Sequence, residues 1–111
     1  MTAPAPNVMG VALTTAAADI FTVPANTVRH ILQVQVANVD GANAVDVTLQ
    51  WTDSSAADAV YRLAYQVAVA AKDARTMLAG PMALRAGDKL QGLASANGDA
   101  EVTVTFYDEV I

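Results

Sequence analysis

Residues 28–51, VRHILQVQVANVDGANAVDVTLQW, decide the fold of this chain. Apolar and polar residues alternate along this stretch, and its apolar set is Leu32, Val34, Val36, Val45, Val47, Leu49 and Trp51. A period of two that is rich in β-branched residues is typical of strands with one buried face. The alternation breaks at residues 38–43, whose Asn, Asp and Gly are turn formers. The stretch therefore predicts two strands joined as a β-hairpin.

The same alternation recurs at residues 61–69 and 102–106. Weaker candidate strands lie at residues 8–13, 20–23, 77–84 and 89–94. Pro81 lacks a backbone donor, so the segment that contains it is predicted to be an edge strand or to carry a bulge. Seven or eight short strands at intervals of about 8–12 residues are typical of a sandwich or jelly roll. We therefore expect an all-β, single-domain antiparallel sandwich, jelly-roll-like, with about eight strands.

The apolar face of each predicted strand indicates the core. We expect it to include Leu32, Val34, Val36, Val47, Leu49, Trp51, Leu63, Val67, Val104 and Phe106. Tyr61 and Tyr65 share the apolar face of Leu63 and are expected to pack with it. The opposite faces carry short neutral side chains, namely Gln33, Gln35, Thr48, Gln50, Ala64, Gln66, Ala68, Thr103 and Thr105. Such side chains present few charges to desolvate, which favours docking on protein, although an ordinary mild surface would have the same composition.

Composition excludes several kinds of partner. The chain has 111 residues, of which 54% are hydrophobic and 15% charged, with a net charge of −5 at pH 7 and no cysteine. Its six basic residues are scattered, whereas nucleic acids and anionic membranes require clustered Lys and Arg. No apolar run approaches the roughly 20 residues of a spanning helix. We expect a soluble protein with no nucleic-acid partner, no membrane partner and no thiolate metal site.

No arrangement of residues is typical of an enzyme. His30 is the single histidine and lies near the start of a predicted strand, without a Gly-x-Ser-x-Gly or His-Glu-x-x-His pattern elsewhere. Asn38, Asp40, Asn43 and Asp46 supply oxygen atoms of the kind that calcium accepts, but their spacing fits no EF-hand loop, and Asn and Asp also favour turns. We predict a partly exposed His30, no catalytic residue, no cofactor and no metal.

The N terminus is predicted to be an extended arm. Pro4 and Pro6 favour extended backbone, so residues 1–8 are expected to lie outside a sandwich that spans residues 9–111. An arm of this kind can lie across a neighbouring protein. The predicted partner contacts are Thr2, Ala3, Pro4, Ala5, Pro6, Asn7 and Val8.

From about Ile20 to the C terminus, the order of segments resembles the small β-sandwich virion proteins of tailed bacteriophages. The resemblance is carried by Thr22-Val23-Pro24-Ala25, Val36-Ala37-Asn38, Leu84-Arg85-Ala86-Gly87-Asp88 and the alternation of residues 102–106. These virion proteins include the decoration or cement proteins of the capsid and related head-fibre, neck and tail modules. The resemblance implies a non-enzymatic protein that is made in the host cytoplasm and stabilises the outer surface of a phage head. The implied partners are the major capsid protein and further copies of the chain, as a dimer or trimer; a head-fibre, neck or tail component is the alternative.

A carbohydrate-binding module is the alternative of another class. Trp51, Tyr61, Tyr65 and Tyr107 are the aromatic residues that such a module would use as a platform for sugar rings. This function requires two or more exposed aromatic residues on one face and a solvent-accessible Trp51. Because Trp51 shares the face of Leu49, core packing is the expected role.

Overall fold

The computed structural model describes residues 5–78 and 80–111, which form nine β-strands and one short 3₁₀ helix, η1 (Ser54–Ala56). The strands are β1 (Asn7–Ala12), β2 (Ala18–Thr22), β3 (Thr27–Asn38), β4 (Val45–Asp53), β5 (Ala59–Val69), β6 (Ala74–Thr76), β7 (Met82–Arg85), β8 (Lys89–Ala94) and β9 (Ala100–Val110). None of the described residues belongs to a helix capable of spanning a lipid bilayer.

The strands form two antiparallel sheets packed against each other. The first sheet has the order β1-β9-β3, with β6 and β7 both pairing with the far side of β3, and the second has the order β2-β8-β4-β5. This is the connectivity of a jelly roll, and it confirms the predicted all-β antiparallel sandwich. There are nine strands instead of about eight because the edge beside β3 is divided into β6 and β7, with Pro81 between them. The prediction of an edge position or an irregularity at Pro81 is confirmed.

The predicted hairpin between β3 and β4 is wrong, because the two strands lie in different sheets. β3 pairs with β6, β7 and β9, whereas β4 pairs with β5 and β8. The connecting turn crosses from the first sheet to the second. Nδ2 of Asn38 donates to the carbonyl oxygen of Asn43 in the turn, at 2.9 Å, and to that of Val69 on β5 of the second sheet, at 3.0 Å. The apolar faces of β3 and β4 thus contribute to one core from opposite sides.

The core lies between the two sheets and contains most of the predicted residues. Val34, Val36, Val47, Leu49, Val104 and Phe106 are buried, while Trp51, Leu63 and Val67 are partly buried at its border. The prediction for Leu32 is wrong, because its side chain is 42% exposed. The register with β9 shifts between Ile31 and Gln33, so Leu32 is the extra residue of a β-bulge and Ile31 takes the buried position.

The outer face of the second sheet also differs from the prediction. Thr48 and Gln50 are buried, not exposed, because β4 lies inside its sheet and neighbouring side chains cover it. Ala64 of β5 is also buried, because the register shifts between β4 and β5 place it opposite Leu49 in the core. Gln50, for example, donates through Nε2 to Oε1 of Gln91 on β8 at 2.8 Å.

The two tyrosines of β5 were predicted to pack inward, and this is also wrong. Tyr61 and Tyr65 are 53% and 62% exposed. The register between β4 and β5 shifts twice, and Gln66 has a positive φ of 49°, so the alternation along β5 is not regular.

Candidate functional site

The outer face of the first sheet is a continuous area with almost no charge, which we call the neutral face. Its side chains alternate with the buried valines of β3 and β9 and therefore point away from the core. The strand register places them in three rows: Val8-Thr105-Gln33, Gly10-Thr103-Gln35-Thr76 and Ala12-Glu101-Ala37-Ala74. Glu101 is the one charged residue in these rows. Exposure of Gln33, Gln35 and Thr103 agrees with the sequence prediction.

Charged side chains of the same outer face lie beyond one end of these rows. The ring of His30 stacks on Tyr107 with centroids 4.5 Å apart, and its Nε2 lies 3.0 Å from Oε1 of Glu109. The neighbouring row places Glu109 beside Val28 and Arg85. His30 is partly exposed, as predicted, and its contacts are an aromatic ring and a carboxylate of the adjacent strand.

Beneath this charged end, a partly buried ion pair lies on the core side of the sheet. Nε and Nη2 of Arg29 donate to the two carboxylate oxygens of Asp108 at 2.7 and 2.9 Å. The guanidinium lies 4.7 Å from the ring centroid of Phe21 and 4.2 Å from that of Phe106. The hydrogen bonds from Arg29 lower the pKa of Asp108; partial burial opposes this shift and the positive charge of Arg29 adds to it.

A cleft of about 830 Å³ lies at one end of the sandwich, and we call it the Trp51 cleft. Its lining includes Trp51, Ser55, Arg85 and Ile111. Trp51 is partly exposed and stacks on Tyr61, with ring centroids 5.4 Å apart and an angle of 30° between the rings. The cleft therefore combines an aromatic wall with polar and charged side chains.

Asp88 holds together two turns that border this cleft. Its Oδ1 accepts from the backbone N–H and the hydroxyl of Ser54, and its Oδ2 accepts from the N–H of Arg85. Burial raises the pKa of Asp88, but these hydrogen bonds outweigh burial and lower it. Gly87 has a φ of +86°, and a Cβ there would lie 3.2 Å from the side chain of Ser54. The Ala-Gly-Asp motif is thus explained by the geometry of the turn.

The oxygen-rich turn after β3 uses its own side chains for hydrogen bonding. Oδ1 of Asp40 accepts from the N–H groups of Ala42 and Asn43, and Oδ1 of Asn38 accepts from the N–H of Asp40. The backbone bonds lower the pKa of Asp40, while desolvation and the charge of Asp40 raise the pKa of Asp99. Within residues 5–78 and 80–111, no three His, Asp or Glu side chains form a group suited to a metal ion.

The predicted N-terminal contacts fall into three groups. Thr2, Ala3 and Pro4 lie outside the described residues, and Ala5 and Pro6 are exposed and precede the first strand. Asn7 and Val8 belong to β1, where they pair with Phe106 and Thr105, so strand pairing begins two residues before the predicted boundary of the arm. Pro6 has no N–H to donate, which agrees with the start of the ladder at Asn7.

Comparison with protein-family models finds no match, and comparison with curated proteins finds none either. Among solved structures, a chain of the disulfide-linked pili of Bacillus endospore appendages is similar, with 12% identity and a TM-score of 0.58 over 98% of this chain and 88% of that one. A chain of the T13 particle of the virus IBDV has 8% identity and a TM-score of 0.54 over 95% of this chain, which spans 31% of the viral chain. A pentameric capsid protein from metagenomic phage sequences has 18% identity and a TM-score of 0.41 over 95% of this chain and 62% of that one. At these identities the likeness concerns the fold alone, an antiparallel β-sandwich that occurs in a pilus protein and in a protein of a viral particle.

Proposed function

We propose that this chain is a structural, non-enzymatic virion protein that decorates the outer surface of a phage head and stabilises the shell. The neutral face is the observation that carries the proposal. Burying a charge at an interface without a partner costs several kcal/mol, roughly, whereas this face has Glu101 as its one charged side chain. Its threonine and glutamine side chains offer hydrogen bonds on a backbone already held by strand pairing. A protein surface without strong charge can cover it.

The proposed partners are the major capsid protein and further copies of this chain. Each copy needs only a modest affinity, because a shell presents the same binding position many times and a linked array of contacts gains avidity. Residues 2–6 are proposed to reach a neighbouring protein. Asn7 and Val8 are proposed as contacts from the sheet itself, since Val8 is 61% exposed in the first row of the neutral face. The same face would serve a head-fibre, neck or tail component, which is the alternative virion location.

Occupancy of phage heads that lack this protein tests the proposal by co-sedimentation. Thr103→Lys places a charge in the middle row, and we expect apparent affinity to fall by about tenfold or more, a change of about 1.4 kcal/mol. Ala68→Lys is the matched control, because Ala68 is exposed on the other sheet and pairs with Asp46, and it should bind as the unchanged protein does. Undiminished binding of Thr103→Lys would exclude the neutral face as the docking surface.

The same assay tests the arm. Deletion of residues 2–6 leaves β1 intact and is expected to reduce occupancy. If occupancy is unchanged, the arm makes no contact that matters for binding.

Carbohydrate binding is the second candidate function, supported by the pair of accessible aromatic rings that Trp51, in the lining of the Trp51 cleft, forms with Tyr61. Trp51 is partly accessible, and Tyr61 beside it is 53% exposed. We expect an oligosaccharide that binds there to change the fluorescence of the single tryptophan, and Tyr61→Ala to weaken binding by about tenfold. Tyr65→Ala is the control, because the ring of Tyr65 is similarly exposed but lies under the guanidinium of Arg62, whereas Tyr61 stacks on Trp51, a residue that lines the cleft. A glycan array without any response would remove this candidate.

A further inference from the structure

The four edges of the two sheets differ in how well they are protected against pairing. The far edge of the first sheet is divided into β6 and β7, β2 has a register shift and carries Asp19, and β5 has two register shifts. In contrast, β1 pairs with β9 without a shift and contains neither a charge nor a proline. Charges, prolines and bulges are the usual means of blocking an exposed edge. Among the described residues, β1 is therefore the edge best suited to accept another strand.

The backbone of β1 presents free hydrogen-bonding groups in a defined pattern. The N–H of Leu13 donates to the carbonyl oxygen of Ala100 at 2.8 Å and continues the ladder between β1 and β9. Since hydrogen-bonded positions alternate in an antiparallel pair, the N–H and C=O groups of Val8, Gly10 and Ala12 point away from β9. No strand from residues 5–78 or 80–111 occupies that side. The N–H of Val8 is bonded only locally, to Oδ1 of Asn7 at 2.9 Å.

The side chains of β1 are suited to the same contact. Met9 and Val11 pack against the border of the core and remain partly exposed. Val8 is 61% exposed on the other side of the sheet. A strand added beside β1 would shield all three side chains and would not bury a charge.

We propose that β1 pairs with β1 of a second copy of this chain, antiparallel and about a two-fold axis at Gly10. This register sets Gly10 opposite Gly10 of the second copy and Val8 opposite Ala12, so that all the outward-pointing backbone groups are paired. It also sets Met9 opposite Val11 on the core side, which joins the borders of the two cores. The first sheets of the two copies become one sheet, and the interface is isologous.

Other registers leave some of these backbone groups unpaired or bring unlike faces together. A two-fold axis at Met9 pairs Val8 with Gly10 but leaves the groups of Ala12 free. An axis between two residues sets the core side of one copy against the outer side of the other, because a shift of one residue reverses the faces. Gly10 is therefore the centre that agrees with both the backbone and the side chains.

This inference deepens the self-association included in the proposed function. It is tested on the isolated protein by sedimentation equilibrium over a range of concentrations. We expect the unchanged chain to have the mass of a dimer, and Gly10→Pro to weaken dimerisation by about tenfold or more, since it removes an outward N–H from each copy. Gly10→Ala is the matched control, because it keeps the N–H and its Cβ would lie 3.6 Å from the carbonyl oxygen of Val102, an ordinary contact. It should remain a dimer.

A monomer at all concentrations would overturn the inference, as would a Gly10→Pro variant that is folded and still dimeric. If Gly10→Pro does not fold, amide hydrogen exchange of the unchanged chain decides. The amides of Gly10 and Ala12 are expected to become protected as concentration rises, and rapid exchange at every concentration would overturn the pairing. These measurements need no phage heads, so a failure of β1 pairing and a failure of shell binding are separate results.

Discussion

Leu90→Ala is expected to lower the free energy of unfolding by about 2–5 kcal/mol, because Leu90 is fully buried in β8 and its truncation leaves a cavity in a packed core. The same truncation at Leu32 is expected to cost only about 0.5 kcal/mol, because that side chain projects from a bulge and is 42% exposed. Both substitutions remove the same atoms. Their difference therefore reports how much more tightly Leu90 is packed than Leu32.

Urea unfolding followed by circular dichroism gives the two values, provided that the slopes of the transitions are equal. A Leu32→Ala variant as unstable as Leu90→Ala would mean that β3 has the regular alternation expected from sequence, with no bulge between Ile31 and Gln33. The pair therefore tests the register of β3 as well as the packing of the core.

Asp108→Ala is expected to destabilise the protein by about 2–3 kcal/mol. The Arg29 side chain is only 11% exposed and would lose its anion while remaining between two phenylalanine rings. The expected loss of stability is smaller than for a fully buried ion pair because the Asp108 side chain is 33% exposed. Arg29→Met should cost less, about 1–2 kcal/mol, since Asp108 can reach water and methionine keeps part of the packing. The double variant is expected to cost less than the sum of the two.

The pH dependence has a defined sign. Because the folded state lowers the pKa of Asp108, the ion pair contributes fully above the ordinary aspartate pKa of about 4, and the contribution is lost as pH falls through the lowered value. Asp108→Ala should therefore lose stability less steeply on acidification than the unchanged protein. The lowered pKa of Asp88 acts in the same direction in both proteins. Parallel curves for the two proteins below pH 5 or so would show that Arg29 and Asp108 do not interact in solution.

The alternation of residue types predicted most of the strands and most of the core residues, because it depends on local geometry alone. Alternation does not show which strands pair with each other. Residues 28–51 contain two strands whose buried faces meet across the core, and the alternation would be the same if these strands formed a hairpin. The positions of β-bulges could not be predicted from the sequence either. Leu32 was assigned to the buried face, but the bulge adds one residue to β3 there and shifts the alternation. No residue type at that position indicates a bulge.

The surfaces were predictable to different degrees. The sequence correctly identified exposed, neutral side chains at Gln33, Gln35 and Thr103. The rows that they form depend on the pairing of β3 with β9, which are far apart in sequence and could not be predicted to pair. The Trp51 cleft was not predicted at all, because its lining comes from several separate segments of the chain. The stacking of Tyr61 on Trp51 follows from cross-strand pairing beside the irregular part of β5.

The pairing of β1 with β9 has a consequence for the time course of folding. These are the first and last of the nine strands, and β9 also separates β1 from β3 in the first sheet. The first sheet therefore cannot close until almost the whole chain has been brought together, and such distant pairings are associated with folding times of roughly milliseconds to seconds. During that interval the backbone of β1 is unpaired on both sides. Dilute conditions should accordingly favour refolding over aggregation.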